Sequence, residues 1–279
     1  MFTVYGHMTC PTTYRLFKKL YQENLLSKMI LIDVGIDPVK SFNKKIVSVP
    51  AIFLNDTLIY SGVFSISEAT KTISDGKIPL IDDFDYRSAS EKLMYGFLDS
   101  ALTALYILIY NDFDELFRLK EFVEAVSRHV FYKARSDDSY NNLKKQFLEY
   151  IQDVKEYFET MLIQTIANLL IREFIQSNIN DLSNERSFIL YDYGRKIFTN
   201  KEFIKQYLLA RNAFGRIGLL MGYPSIDPRF NERLESLHIY VSENWERLYD
   251  KIYKDQLSIL RDQEYVERYL EKAREKKQL

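Results

Sequence analysis

One cysteine in 279 residues rules out any disulfide within the chain, and with it the stapled framework of small secreted domains. Glycine and proline are scarce, 9 and 6, so loops are few and long helices are expected. Neither sign of charge prevails. The 38 Lys and Arg face 39 Asp and Glu, which leaves no overall field for nucleic acid or an anionic membrane surface. The longest apolar passage, residues 94–110, is interrupted by Asp99 and is shorter than the ~20 residues of a membrane span. It reads as a buried core helix. Residues 1–30 lack the basic-then-apolar pattern of a secretory signal, so a cytoplasmic protein with no membrane partner is expected.

Other chemistries lack their residues too. His129 and His238 show no metal-ligand spacing and are expected at the surface or half-buried, and no metal is expected. No Ser-His-Asp pattern stands out. The glycines at 215, 218 and 222 follow no strand and lack the lysine of a phosphate loop, so close helix packing is their expected use. Asp82, Asp83 and Asp85 read as a solvated turn.

What is present is aromatic mass: 21 Tyr and 19 Phe imply a large ring-filled core. Four strand-like runs stand out at 1–5, 29–34, 51–54 and 58–60, the last two joined by the turn Asn55-Asp56-Thr57. Helical periodicity fills 12–26 and 65–74, the second opened by the capping box Ser65-Ile66-Ser67-Glu68. Residues 38–45 form a short helix or irregular crossover. The order is β-α-β-(α)-β-β-α, a small mixed sheet with helices on its faces.

Residues 78–83 then read as a linker to a helical second half. Helices are expected from a capping box at 88–91, across 113–131 and 140–177, from a capping box at 199–202 to residue 221, and across 231–277. Breaks fall at 135–139, 177–185 and 223–229, and the charged end 272–277 reads as a solvated helix end.

One stretch joins the first strand to the first helix: His7-Met8-Thr9-Cys10-Pro11-Thr12-Thr13-Tyr14-Arg15. It places Cys10 at a helix N-terminus, where unpaired N–H groups and the helix dipole stabilise a thiolate. Pro11 suits the first helical position, where no N–H is needed. Tyr5 and Tyr14 lie close by in sequence and are expected to pack.

With Cys10-Pro11 after the first strand and Val49-Pro50 before the third, 40 residues on, the order resembles the thioredoxin fold in its glutaredoxin and glutathione-transferase branches. The resemblance covers residues 1–79, followed by an enlarged all-helical region at 80–279. It implies an α/β thioredoxin-like domain and a larger all-α domain in the two-domain transferase layout, with a ligand cleft beside Cys10.

It further implies that Cys10 is the nucleophile of a monothiol enzyme performing thiol–disulfide exchange or thiol transfer. In that case Val49 and a cis Pro50 clamp the thiol peptide, and Ser65 at a helix start holds a carboxylate. His7 and Arg15 tune charge, and Thr12 donates near the thiol. Glutathione or another low-molecular-weight thiol would be the cosubstrate, and a protein disulfide the other partner. Thr13 stands where a dithiol glutaredoxin carries its second cysteine, so any exchange passes through an external thiol. Two rival readings remain open. One is a non-catalytic scaffold whose helical domain binds a partner or forms a homodimer. The other is a Cys10-bridged dimer around an iron–sulfur cluster.

Overall fold

The computed structural model describes residues 1–178, 187–219, 221, 222 and 224–275 of the chain. Strand β1 (Phe2–Gly6) runs parallel to β2 (Met29–Asp33) and antiparallel to β3 (Ala51–Leu54), and β4 (Thr57–Ser61) completes the order β2-β1-β3-β4. A parallel pair needs a crossover. Helix α1 (Pro11–Gln22) supplies it, and α2 (Pro38–Asn43) lies between β2 and β3. The β3–β4 hairpin turns at Asn55, whose φ of 46° lies in the left-handed region that asparagine tolerates.

Alternation divides the sheet residues between two faces. Tyr5, Ile32, Ala51, Phe53 and Leu58 form one cluster with Ala125. Phe2, Val4, Leu31 and Ile52 fall on the other face, each at most 3% exposed. A register shift between Ile52 and Phe53 leaves Ile59 as the extra residue of a bulge, also buried. Helix α3 (Ile66–Asp75) follows, with Ser65 as its N-cap accepting the Glu68 N–H at 3.4 Å. The Glu68 carboxylate pairs outward with Arg128, so only half of the expected capping box forms.

The remainder of the chain is mostly helical, and several expected boundaries move. Helix α4 (Tyr86–Asp99) starts before the expected box at 88–91, because the Asp85 carboxylate caps it, accepting from Arg87 and Ser88 N–H at 3.0 and 3.1 Å. The apolar run 94–110 is two helices rather than one. It breaks at Ser100, whose backbone is extended and whose hydroxyl donates to the Val47 carbonyl at 2.8 Å, and α5 (Ala101–Tyr110) follows. The expected helix over 113–131 divides into α6 (Phe113–Leu116), α7 (Lys120–Ser127) and a 3-10 turn, His129–Phe131, after Arg128 takes φ 66°.

Helix α8 (Asp137–Asp153) is opened by a capping box between Ser136 and Ser139, and α9 (Lys155–Ser177) continues after a break at Val154. Next come α10 (Ser187–Phe198) and α11 (Lys201–Leu219). Asn200, not Thr199, accepts the Phe203 N–H at 3.1 Å to cap α11. The long charged pattern at the end is α12 (Phe230–Arg261) and α13 (Gln263–Arg274), parted at Asp262. Positions 179–185 of the expected break, Tyr223 of another, and Lys276 and Lys277 of the charged end lie outside the described residues.

Packing divides the chain into two compact units. The first is Met1–Ser100, Phe113–Lys155 and the chain from Asp262 onward; the second is Ala101–Asp112 and Glu156–Arg261. The division is discontinuous in sequence, each unit drawing on separate stretches of the chain. The stretch read as a linker is stitched into the first unit. Ile81 accepts from Lys133 N–H at 3.0 Å and donates to the Phe131 carbonyl at 2.9 Å, bridging in parallel to Tyr132.

In the second unit the buried Arg233 guanidinium bonds the Ile107 and Leu108 carbonyls near the C-terminal end of α5 and pairs with Glu159. Around Trp245 gather Tyr191, Phe198 and Tyr249, with ring centroids 5.5–6.1 Å from the indole. Close helix packing is the use of Gly215, where a β-carbon would lie 2.2 Å from Leu102 Cδ2. Leu220 and the side chains of 216–218 lie outside the described residues. Among the described residues no single helix is long and apolar enough to cross a membrane.

Candidate functional site around Cys10

Cys10 is the N-cap of α1, with Pro11 at the first helical position. Its backbone is extended, with φ −74° and ψ 123°. The turn that delivers it closes through Cys10 N–H to the His7 carbonyl at 2.9 Å, and the helix begins with Tyr14 N–H to the Cys10 carbonyl at 2.9 Å. The thiol caps no N–H of its own helix. It points across to the Val49 carbonyl at 3.6 Å. No acidic side chain occupies the first turn of α1, so nothing there competes for the positive end of the dipole. Cys10 itself is half-buried.

The wall opposite the thiol is the segment before β3. The Val49–Pro50 bond is cis. Ser61 donates to the Ser48 carbonyl at 3.2 Å, Ser48 donates to the Asp99 carboxylate at 3.4 Å, and Gly62 N–H reaches the Pro50 carbonyl at 3.0 Å. Gly62 is required here. Its φ is 69°, and a β-carbon would stand 2.9 Å from both Asp99 Oδ2 and Ser48 Oγ.

Of the residues chosen from sequence, the structure brings Cys10 together with Val49 and Pro50. His7 turns back on its own loop, its Nδ1 meeting Thr9 Oγ1 at 2.9 Å and Thr9 N–H at 3.3 Å. An Nδ1 that accepts an amide proton leaves the ring hydrogen on Nε2. Thr12 and Arg15 meet each other at 3.5 Å, with Arg15 exposed. Ser65 is exposed, and its hydrogen bonds stay within the start of α3. Thr13 is 1% exposed and accepts the His7 N–H at 3.5 Å.

Sequence reasoning missed the residues that hold this turn from below. Asp33, 5% exposed at the end of β2, accepts four donors: Gly35 and Ile36 N–H at 2.8 and 3.0 Å, Met8 N–H at 3.0 Å, and the Tyr269 hydroxyl at 2.8 Å. The Tyr265 hydroxyl donates to the Met8 carbonyl at 2.7 Å. Burial, and after it the nearby Cys10 and Asp33, push the Tyr265 phenol far above its ordinary range. Burial and then Asp33 do the same to Tyr269, so both remain donors. Asp262 caps α13 through the Tyr265 N–H at 3.1 Å and accepts from the Tyr14 hydroxyl at 2.7 Å and Lys18 at 2.8 Å. The one available signal was a carboxylate, Asp33, set inside the apolar run 29–34.

Away from the thiol, His129 is fully buried, not at the surface or half-exposed as expected. Its Nε2 meets Ser139 Oγ at 2.8 Å and its Nδ1 meets Glu124 at 3.3 Å. This has the connectivity of a Ser-His-acid relay, but Ser139 Oγ also bonds Ser136 N–H at 2.8 Å and the Ser136 carbonyl at 2.9 Å, which commits it to the cap of α8. His238 bonds the Thr199 carbonyl at 2.9 Å. Among the described residues no group of three His, Cys, Asp or Glu is placed to hold a metal ion. No protein-family model, curated protein or solved structure matches the chain.

Proposed function

We propose that this chain is a monothiol enzyme of glutaredoxin or glutathione-transferase character, thioredoxin-like at its N-terminus and helical beyond. The observation that carries the reading is the Cys10 thiol at the start of α1, 3.6 Å from the Val49 carbonyl beside Pro50. The strand order β2-β1-β3-β4, with the first pair parallel and the rest antiparallel, supports it. In this reading Cys10 is the nucleophile, and the Val49 backbone lines up an incoming thiol peptide. Ser65 and the α3 N-terminus hold its carboxylate. His7, Thr12 and Arg15 set the polarity of the entrance.

The Cys10 thiolate attacks one sulfur of a disulfide; a new S–S bond forms as the old one breaks, and the departing sulfur takes up a proton. With no second cysteine in the chain, a low-molecular-weight thiol such as glutathione releases the mixed disulfide.

The test is mass spectrometry of native protein after exposure to glutathione disulfide and, separately, to iodoacetamide at neutral pH, with Cys10→Ser as the blank. The expected result is one adduct on Cys10 in each case, formed faster than on a free cysteine control. Modification only after unfolding would overturn the reading.

A scaffold role is the second reading; Ile36, Val39 and Phe42, exposed by 41%, 67% and 57% on one short segment, would put its partner surface on the first unit and not on the helical domain expected from sequence. It predicts an inert Cys10 and a concentration-dependent mass in solution.

A further inference from the structure

We infer that α13 is a positioning strap for the Cys10 turn. Tyr269, acting through Asp33, and Tyr265, acting through the Met8 carbonyl, hold residues 7–10 in the arrangement that aims the thiol at Val49. Its bearing on thiol chemistry rests on the reading proposed above; the strap itself rests on geometry alone.

The hydroxyls are what point to positioning rather than to packing. Phenylalanine would fill the same volume, and the rings do pack: Phe17 lies 5.7 and 5.3 Å from the rings of Tyr265 and Tyr269. Yet both oxygens converge on the backbone of one residue. Met8 N–H goes to the carboxylate that Tyr269 also bonds, and Met8 C=O goes to Tyr265. Both polar backbone groups of the turn's middle residue are thereby tied to a helix some 260 positions later in the chain, in line with the 257-residue separation of Tyr265 and Met8.

The carboxylate relay suits this task. Asp33 also holds Gly35 and Ile36 N–H, so it is anchored to the end of β2 independently of the turn. A buried carboxylate with four donors is rigid, because losing any one of them leaves charge poorly compensated. Space is tight as well. A β-carbon on Gly6 would lie 2.7 Å from Thr13 Cγ2 and 3.1 Å from the Tyr269 oxygen, so any larger residue at the strand end must displace Thr13 and press on the tyrosine hydroxyl. The strap is fastened at its own start, where Asp262 takes the Tyr14 hydroxyl and the Lys18 ammonium from α1.

The experiment compares full-length wild type with Tyr269→Phe and Tyr265→Phe, reading amide hydrogen exchange of residues 7–10 and 33–36 by mass spectrometry. Tyr140→Phe is the control. Its hydroxyl donates to the Phe117 carbonyl at 2.6 Å in the same unit but far from the turn in the bonding scheme. Loss of a hydrogen bond to a charged group should raise exchange at Met8 about tenfold in Tyr269→Phe, with a smaller rise in Tyr265→Phe. Cys10 alkylation should change in the same two variants and not in the control.

Exchange at 7–10 within about twofold of wild type in the folded variants overturns the strap, as does equal acceleration in Tyr140→Phe. If Tyr269→Phe does not fold, Tyr265→Phe decides alone. Faster exchange with Cys10 inert in every protein would support the strap and defeat the thiol reading, so the two fail separately.

Discussion

Gly96 of α4 faces Val126 of α7 with no room to spare: a β-carbon at Gly96 would stand 2.2 Å from Val126 Cγ1. In an exposed helix, alanine in place of glycine would add roughly 1 kcal/mol of stability. Here the clash costs ~1–3 kcal/mol, because α4 and α7 must part or Val126 must leave its rotamer. Gly96→Ala should therefore lower the thermal midpoint. The double change Gly96→Ala, Val126→Ala should recover part of the loss if the contact is the cause.

Arg233 is the second place where one side chain holds several elements. It is 4% exposed, and its Nη2 lies 2.6 Å from Glu159 and 3.2 Å from Asn111 Oδ1. Removing it leaves the half-buried Glu159 carboxylate with Arg229 alone and takes one donor from the Ile107 and Leu108 carbonyls. Arg233→Ala should cost about 3 kcal/mol, at the lower end for a broken buried pair because Arg229 still reaches Glu159 at 3.0 Å. Arg233→Lys should recover only part, since a single ammonium cannot serve the forked set of acceptors. Urea titration followed by the emission of Trp245, the only tryptophan and 2% exposed, reads this unit directly.

The fastening of α13 should be sensitive to both acid and strong base. Lys18, then Tyr14, hold the Asp262 carboxyl below its usual range, and Asp262, then Tyr14, raise the Lys18 ammonium above its own. A depressed acid stabilises the fold above its unfolded value and loses that contribution as pH falls through the folded one. A raised base contributes below its unfolded value and loses it as pH rises through the folded one. The attachment is thus fullest between about pH 4 and pH 10. Exchange at the first turn of α13 should quicken below that window, and Asp262→Asn should flatten the acid limb. An acid limb unchanged in Asp262→Asn would show that other carboxyls set it.

Much of the first unit was legible in advance, and the reasons are local. Ala51–Leu54 forms the third strand where β-branched and aromatic residues predicted it, Asn55 turns the hairpin, and Cys10-Pro11 opens α1. Each depends on neighbours within a few positions. The errors have local causes of another kind. Asp85 outcompeted the serine at 88 as a cap, and the left-handed Arg128 ended a helix whose apolar period ran on. Periodicity reports which face is buried and does not register a single residue that steps out of the helix.

Taken alone, the sequence determined the mixed sheet with its helices, the mostly helical remainder, and the placing of one cysteine at a helix start. These follow from spacing, caps and turn residues, which act over short range. Only the tertiary structure decided that Asp33, Tyr265, Tyr269 and Asp262 meet around the turn that carries Cys10. Tyr269 and Asp33 are 236 residues apart, and no periodic pattern encodes a hydrogen bond across that distance. Two tyrosines four apart on a charged helix have the same period whether their hydroxyls face water or a buried carboxylate. Which of the two holds is settled by how α13 packs on β2 and α1, a consequence of the whole fold.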